Sequence, residues 1–133
     1  MTRTCDTSVL VPALLAWHPD HEACRSALRS VRDVPAHVLV ECYSVITRLP
    51  APHRVSPADA GAVLEALPLK PVALPAARHV TLVPECSRLG IRGGAVYDAL
   101  VARTAAHHSL ELVTRDRRAR ATYDQLGVRY VLV

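Results

Sequence analysis

The segment from Leu110 to Arg120 constrains the fold more than any other part of the chain. It reads Leu-Glu-Leu-Val-Thr-Arg-Asp-Arg-Arg-Ala-Arg, so a short apolar β-type stretch runs directly into an aspartate set among arginines. If Leu110 to Thr114 is a strand, Asp116 lies at or just beyond its carboxyl end, where open α/β sheets collect ligands. A carboxylate at that junction is rarely required for stability. We therefore interpret Asp116 as a candidate functional residue.

The amino-terminal segment has the same form. Arg3-Thr4-Cys5-Asp6-Thr7-Ser8-Val9-Leu10 places an aspartate after a short β-compatible run and before a helical pattern. Asp6, Thr7 or Ser8 supplies a side-chain oxygen suited to capping that helix. Two acids at strand ends in one small chain indicate a shared site.

The size and composition predict one soluble domain. A chain of 133 residues, half of them hydrophobic, is large enough for a single core, so we expect one domain over residues 1–133. The longest apolar run, Val9 to Trp17, is shorter than the roughly 20 residues that span a bilayer. The amino terminus also lacks the pattern of a signal peptide. We expect a cytoplasmic protein without a membrane segment.

The cysteines and the charge balance narrow the chemistry. Cys5, Cys24, Cys42 and Cys86 form no C-x-x-C pair, so buried free thiols are expected rather than a zinc or thioredoxin-like site. The formal net charge is +4, and all but one of the 16 basic residues are arginines. Arginine suits phosphate contacts, and the balance favours a polyanionic partner. A bias of the whole composition toward alanine, valine and arginine would give the same numbers.

Two features between residues 17 and 32 allow two interpretations each. Arg25, Arg29 and Arg32 lie opposite an apolar helical face that we expect to extend to Val31, and they are either a solvated face or a surface for RNA or an acidic partner. Trp17 belongs either to the core or to a peptide-binding groove.

A carboxylate interrupts the apolar run from His37 to Leu49. The run is predicted to be a largely buried helix, and Glu41 lies inside it. A lone buried charge is costly, so Glu41 must be paired, protonated or bound to metal. Arg48 is either its ion partner or a contact for phosphate.

The rest of the chain alternates between strand and helix patterns. The predicted elements are a helix from Ser56 to about Leu67, a short buried strand over Lys70–Leu74, a helical segment over Ala76–Gly90 that Pro84 breaks, a helix over Ala95–His108 with Asp98 near its start, a helix from Asp116 to about Leu126 and a last strand over Val128–Leu132. This alternation predicts a three-layer α/β/α fold with a central, mostly parallel sheet.

Four acids stand out by position: Asp6, Glu41, Asp98 and Asp116. If they share one pocket, two carboxylates about 4 Å apart repel by about 4 kcal/mol at an effective dielectric constant of about 20. A divalent cation converts that repulsion into coordination, and ligation by oxygen alone favours Mg²⁺ or Mn²⁺ over zinc. Each acid taken alone also has an ordinary explanation, such as the favourable position of Asp98 near a helix amino terminus.

These residues resemble those of PIN-domain endoribonucleases, and within them the VapC-type toxins of bacterial toxin-antitoxin pairs. The resemblance covers nearly the whole chain in the family's order. It rests on Asp6-Thr7-Ser8-Val9-Leu10, on Glu41 in its apolar helix ending at Arg48, on Tyr97-Asp98-Ala99-Leu100 and on Leu112-Val113-Thr114-Arg115-Asp116.

The resemblance implies roles for individual residues. Asp6, Asp98 and Asp116 match metal ligands, and Glu41 matches a ligand that acts directly or through water. Thr7, Ser8 and Thr114 match supporting hydroxyl positions. Some relatives carry a further acid or amide after the last aspartate, whereas arginines follow Asp116 here, so we expect one tightly bound metal rather than two. The candidate RNA phosphate contacts are Arg48, Arg115, Arg117 and Arg118.

The resemblance also implies an activity and partners. The activity is Mg²⁺- or Mn²⁺-dependent hydrolysis of an RNA phosphodiester by water, leaving a 5′-phosphate, and the partners are a VapB-like antitoxin and a second copy of the chain. One alternative is a catalytically inactive PIN-like module that binds RNA or protein. A second is a phosphoacceptor receiver domain, which needs a lysine at the end of a late strand. The sole lysine, Lys70, precedes its predicted strand instead.

Overall fold

The computed structural model describes residues 1–133 and contains five short strands. They are β1 (Arg3–Cys5), β2 (Asp33–Pro35), β3 (Lys70–Val72), β4 (Glu111–Thr114) and β5 (Tyr130–Leu132). β4 lies between β1 and β5, β2 pairs with β3, and every pairing is parallel. A parallel bridge between Arg3 and Val31 joins the two groups, giving the order β3-β2-β1-β4-β5. The predicted α/β fold with a central parallel sheet is confirmed.

Helices make up most of the rest of the chain and connect the parallel strands. They are α1 (Thr7–Leu14), α2 (His21–Leu28), α3 (Ala36–Thr47), α4 (Pro57–Glu65), α5 (Ala76–Leu89), α6 (Ala95–His107) and α7 (Arg120–Leu126), with a 3₁₀ turn over Arg117–Ala119. None of these helices is long and apolar enough to cross a membrane. All four cysteines are buried and free, as predicted.

Local chemistry explains how α1 starts directly at the end of β1. The Asp6 carboxylate accepts a hydrogen bond from the Ser8 amide at 3.1 Å and so caps the helix. Pro12 lies inside α1 and cannot donate to the Ser8 carbonyl. The Cys24 thiol approaches that carbonyl to 3.8 Å, so α2 provides a weak donor where the helix lacks one. The capped start fixes Asp6 at the sheet edge.

Pro84 does not break the helix in which it lies, contrary to prediction, because α5 continues from Ala76 to Leu89. The proline ring leaves the Val80 carbonyl without its helical donor. Both residues are exposed, and the Val80 side chain is 71% exposed, so water can satisfy that carbonyl. The proline ring alone predicts a break in the helix. The free-energy cost of a proline inside a helix depends, however, on whether water can reach the carbonyl that loses its donor.

The region between α2 and β3 also differs from the prediction. α2 ends at Leu28, and Val31 lies in the bridge to β1 rather than on the helix. β2 was not predicted, since a three-residue strand ending in proline gives almost no alternating pattern. β3 ends at Val72 and is buried only there, because it lies at the edge of the sheet with β2 as its one partner.

A bidentate ion pair ties three helices together. Arg103 on α6 donates from Nε and Nη2 to the two carboxylate oxygens of Glu85 on α5, at 2.6 and 2.7 Å, and from Nη1 to the Leu126 carbonyl at 3.1 Å. Both side chains of the ion pair are largely shielded from solvent.

We expect Arg103→Lys to lower the free energy of unfolding by about 1 kcal/mol, because an ammonium keeps the charge but not the fork geometry. Urea denaturation would measure the loss. Arg54→Lys is the matched control, since Arg54 donates one exposed bond to a carbonyl and should change little. Equal effects in the two variants would contradict a structural role for the fork.

Candidate active site

All four predicted acids line one pocket at the carboxyl ends of β1 and β4. Its volume is about 420 Å³. Asp6 and Asp116 come from the strand ends, Glu41 from α3 and Asp98 from the first turn of α6. A larger cavity of about 760 Å³ lies between α5 and α6 and contains none of these acids, so cavity size alone would not locate the site. The remaining lining residues are Thr7, Ser8, Val11, Pro12, His18, Asp20, Val45, Val101, Arg115 and Arg118.

Asp6 is the most extensively hydrogen-bonded acid of the pocket. Its side chain is buried at 6% exposure. Oδ1 accepts from the Ser8 amide and from the Ser8 hydroxyl, at 3.1 and 2.5 Å. Oδ2 accepts from the Thr114 hydroxyl and from the Tyr123 hydroxyl, the latter at 2.7 Å. Four donors therefore hold one buried carboxylate. Burial raises the pKa of Asp6, and the hydrogen bonds from these donors lower it by a smaller amount. The net shift is upward.

The Ser8 and Thr114 hydroxyls also set the position of the loop after β4. Ser8 Oγ accepts from the Arg115 amide at 2.8 Å, and Thr114 Oγ1 accepts from the Asp116 amide at 3.1 Å. Each hydroxyl donates to Asp6 and accepts from the loop. The two hydroxyls thus fix the position of Asp6 relative to the loop that carries Asp116. Ser8 and Thr114 are two of the three residues predicted as supporting hydroxyl positions.

Tyr123 is a site residue that the sequence did not reveal. It is fully buried and lies on α7. In the sequence, an aromatic residue in a mostly polar helix is the one local sign of its role. Burial and the nearby Asp6 carboxylate raise the pKa of its phenol, so it remains a donor. A buried tyrosine hydroxyl needs a partner, and here Asp6 provides one.

We expect Tyr123→Phe to destabilise the protein by about 1–2 kcal/mol, since it removes one donor from a buried carboxylate. Tyr130→Phe is a matched control. Tyr130 lies against Tyr123 with ring centroids 5.6 Å apart and donates to Asp124 at 2.8 Å, but that bond is exposed. Chemical denaturation should therefore show a clear loss for Tyr123→Phe and a much smaller one for Tyr130→Phe. A larger loss for Tyr130→Phe would contradict the assignment.

Asp98 differs from Asp6 because it has no hydrogen-bond donor. It is half-buried in the pocket and forms no ion pair. Burial, followed by the charges of Asp116, Asp6 and Glu41, raises the pKa of Asp98 to about 6. The charges of all three other acids act on Asp98, as expected for four carboxylates that line one pocket.

Glu41 is more accessible than predicted. α3 buries one stripe, Val38, Cys42 and Ile46, at the i, i+4 spacing of a helix that contacts the core on one side. The Glu41 side chain is 41% exposed, and its Oε2 lies 3.2 Å from His37 Nε2. The i, i+4 spacing of these two residues on α3 is a signal in the sequence for this contact.

Arg48 is not the ion partner of Glu41. Its guanidinium donates to the Ser44 hydroxyl at 2.7 Å instead, and the residue does not line the pocket. Seven residues separate Glu41 from Arg48, which is almost two helical turns, so the two side chains are too far apart along α3 to pair.

The arginines after β4 have different environments. Arg115 donates to Asp20 at 2.8 Å, so it is an ion-pair partner within the pocket wall. The Arg118 side chain is 98% exposed at the pocket rim, 3.9 Å from the Asp116 carboxylate. Arg117 is exposed and does not line the pocket. Of the four predicted phosphate contacts, Arg115 and Arg118 are therefore next to the acids.

The remaining sequence features lie outside the acidic cluster. Trp17 is 47% exposed and stacks on His53 with centroids 4.0 Å apart. Arg25, Arg29 and Arg32 are exposed beside β2 at the amino-terminal end of the strands, away from the pocket. They therefore do not contribute to the acidic site.

The pocket offers oxygen ligands suited to a hard divalent cation. Asp98 has no partner, and the buried Thr7 hydroxyl also has none, so two polar groups at the pocket remain to be satisfied. No three histidine, cysteine, aspartate or glutamate side chains are arranged to hold an ion by themselves. Mg²⁺ usually takes only one or two carboxylates and completes its shell with water and substrate phosphate. The residues present fit such a cation.

Comparison with known proteins agrees with this fold. Residues 4–125 match the model of the PIN domain family. The chain is 43% identical over 129 residues to ribonuclease VapC40 of Mycobacterium tuberculosis, covering 96% of each protein. It is also 43% identical to ribonuclease VapC27 of the same organism, covering 96% of this chain and 93% of the relative. The crystal structure of VapBC2 from Rickettsia felis bound to a promoter DNA fragment superposes with a TM-score of 0.69 at 16% identity, covering 100% of this chain and 99% of that one.

The fold and the strand-end acids thus define a PIN-type α/β domain. The chain belongs to the PIN-domain family, within which its sequence relatives are VapC ribonucleases.

Proposed function

We propose that the protein is a divalent-metal-dependent endoribonuclease that acts as the toxin of a toxin-antitoxin pair. The observation that carries the proposal is the convergence of Asp6, Glu41, Asp98 and Asp116 on one pocket, where three of them raise the pKa of the fourth. A protein that only binds RNA has no use for an anionic cluster that repels phosphate. The identity to two VapC ribonucleases over nearly the whole chain supports the same activity.

In the proposed site, Asp6, Asp98 and Asp116 would hold Mg²⁺ or Mn²⁺, one or two of them directly and the rest through water, and Glu41 would contribute directly or through water. A bound divalent ion lowers the pKa of water and neutralises charge that develops on the phosphoryl oxygens. Asp98 offers a carboxylate with no competing donor, and the Glu41 carboxylate lies 3.2 Å from His37 Nε2.

The geometry favours water over a protein group as the nucleophile. The Ser8 and Thr114 hydroxyls each donate to Asp6, and each oxygen also accepts from a backbone amide of the loop after β4, so both hydroxyls are engaged in holding the two acids in place. Water attack in line with the leaving 3′-oxygen leaves a 5′-phosphate. Arg118 is exposed at the pocket rim, where it can contact a phosphate of RNA that enters the pocket. Arg115 contacts phosphate only if it leaves Asp20.

The test is cleavage of a pool of structured and single-stranded RNAs by the purified protein with Mn²⁺, followed by chelator. We expect chelator-sensitive cleavage by the wild type and its loss in Asp98→Ala, with an unchanged circular dichroism spectrum. Asp124→Ala is the control acid, because Asp124 lies on α7 and bonds to Tyr130 outside the pocket. Cleavage that survives in Asp98→Ala would contradict the proposal, as would an inactive wild type, the result expected of a PIN-like binding module.

The proposal includes partners. A VapB-like antitoxin is supported by the similarity to VapC relatives, and its test is rescue of growth when a neighbouring small gene is co-expressed with the toxin. Association of two copies is supported by exposed apolar side chains on adjacent helices, Val40 on α3 and Val63 on α4, at 70% and 42% exposure. Sedimentation velocity tests it. RNA as the substrate places the proposed activity in the cytoplasm.

A further inference from the structure

Tyr97 and His37 form a stacked aromatic pair between α6 and α3. Their ring centroids are 5.3 Å apart and the ring planes differ by 5°, so the rings are parallel. Tyr97 remains 56% exposed, although it is already stacked on one side. The pair therefore presents an aromatic surface to solvent.

The pair is anchored to two of the four acids. Tyr97 immediately precedes Asp98 on α6, and His37 lies one helical turn before Glu41, with its Nε2 3.2 Å from the Glu41 carboxylate. Asp98 and Glu41 both line the pocket. Tyr97 and His37 do not line the pocket themselves, but each neighbours an acid that does, so the pair lies beside the pocket wall formed by α3 and α6.

We propose that the exposed face of Tyr97 stacks an unpaired RNA base next to the scissile phosphate, with His37 supporting the ring from behind. This inference rests on the proposed nuclease function and adds to it a residue that contacts a base of the substrate. Proteins recognise unpaired bases by stacking them on tyrosine or histidine rings, whereas bases in a duplex are covered by their neighbours.

Two features make Tyr97 the aromatic residue for this role. The chain contains no phenylalanine, one tryptophan and four tyrosines, so it has few rings to offer. Tyr123 is buried, and Trp17, the other strongly exposed ring, stacks on His53, whereas Tyr97 stacks on His37, which contacts the pocket acid Glu41. Tyr97 is the exposed ring adjacent in sequence to a pocket acid.

His37 has a second effect under this arrangement. Because the same side chain supports Tyr97 and contacts Glu41, it links base stacking to the position of a pocket carboxylate. His37 is thus a positioning residue. Removing it should affect both RNA affinity and turnover, whereas removing the Tyr97 ring should act mainly on affinity.

The experiment compares Tyr97→Ala, Tyr97→Phe and Tyr43→Ala in full-length protein. The RNA probes are a fluorescein-labelled single-stranded 20-mer pool and a labelled hairpin duplex. We expect Tyr97→Ala to raise the Kd for the single-stranded pool by about 5- to 150-fold, the range for losing one base stack. The Kd for the duplex should not change. Tyr97→Phe keeps the ring and should recover most of the lost affinity. Tyr43 is a second half-exposed tyrosine on the other side of α3 and controls for loss of surface tyrosine.

Cleavage kinetics on the single-stranded pool separate this inference from the proposed function. An increase in KM with little change in kcat for Tyr97→Ala supports base stacking. A wild type that cleaves the pool while Tyr97→Ala has unchanged Kd and KM overturns stacking and leaves the nuclease proposal intact. A wild type that cleaves no RNA overturns the nuclease, and the Kd comparison then decides stacking alone. A change in sedimentation of Tyr97→Ala with no change in RNA affinity also overturns stacking, because it shows that a second copy covers the ring.

Discussion

Asp98→Asn is expected to abolish RNA cleavage and at the same time to stabilise the fold. Loss of a carboxylate that holds the cation should reduce turnover by at least about 100-fold. The stabilisation follows from the raised pKa of Asp98, because its ionised form is disfavoured by burial and by three neighbouring acids. Replacing it with a neutral amide removes that cost, which we place at about 1–2 kcal/mol after allowing for solvent screening.

The pH dependence of this stabilisation has a definite sign. The pKa of Asp98 is about 6 in the folded protein against an ordinary 3.8, so the folded protein binds the proton more tightly. The contribution of Asp98 to stability therefore decreases as pH rises from about 4 to about 6. With a chelator present, urea denaturation should show Asp98→Asn more stable than wild type at pH 7.5 and equal to it near pH 3.5. An Asp98→Asn protein less stable than wild type at pH 7.5 would contradict the electrostatic account of the pocket.

Asp6→Asn is expected to have the opposite effect on stability. The buried carboxylate accepts from Ser8, Thr114 and Tyr123, and an amide turns one of its two oxygens into a donor that faces other donors. Leaving these buried groups unsatisfied should cost about 3–5 kcal/mol. That is a large share of the roughly 5–15 kcal/mol that holds a domain together.

The matched comparison for Asp6→Asn is Asp124→Asn. Asp124 accepts one exposed hydrogen bond from Tyr130 and should change the free energy of unfolding by less than about 1 kcal/mol. The urea midpoint should fall sharply for the first variant and little for the second. Similar midpoints for Asp6→Asn and the wild type would show that the four-donor network does not support the fold. The same change from aspartate to asparagine is thus expected to stabilise at residue 98 and destabilise at residue 6.

The positions of the acids were accessible from the sequence because they follow from chain direction. In a parallel sheet, the carboxyl ends of β1 and β4 meet at one edge, so two acids that follow those strands must be close. The Ser8 and Thr114 hydroxyls were identified by their motif positions. Their role in holding Asp6 and Asp116 in register required the three-dimensional arrangement.

Other parts of the site depend on long-range contacts that leave no local pattern. Tyr123 reaches Asp6 across 117 residues of sequence, and the Arg115–Asp20 pair spans 95 residues. The predicted break at Pro84 was wrong because the effect of a proline depends on whether water can satisfy the freed carbonyl. The predicted burial of Glu41 was wrong because the apolar residues around α3 continue onto an exposed face, where Val40 is 70% exposed.

The most direct measurement is a titration of the metal-free protein with Mn²⁺ in which bound Mn²⁺, followed by electron paramagnetic resonance, and RNA cleavage are recorded on the same samples. We expect Mn²⁺ binding and cleavage to rise together in the wild type, both to be lost on adding chelator, and both to be absent in Asp98→Asn despite its greater stability. Cleavage that persists with chelator, or an Asp98→Asn protein that binds Mn²⁺ and cleaves RNA like the wild type, would contradict a metal-dependent nuclease site built on these four acids.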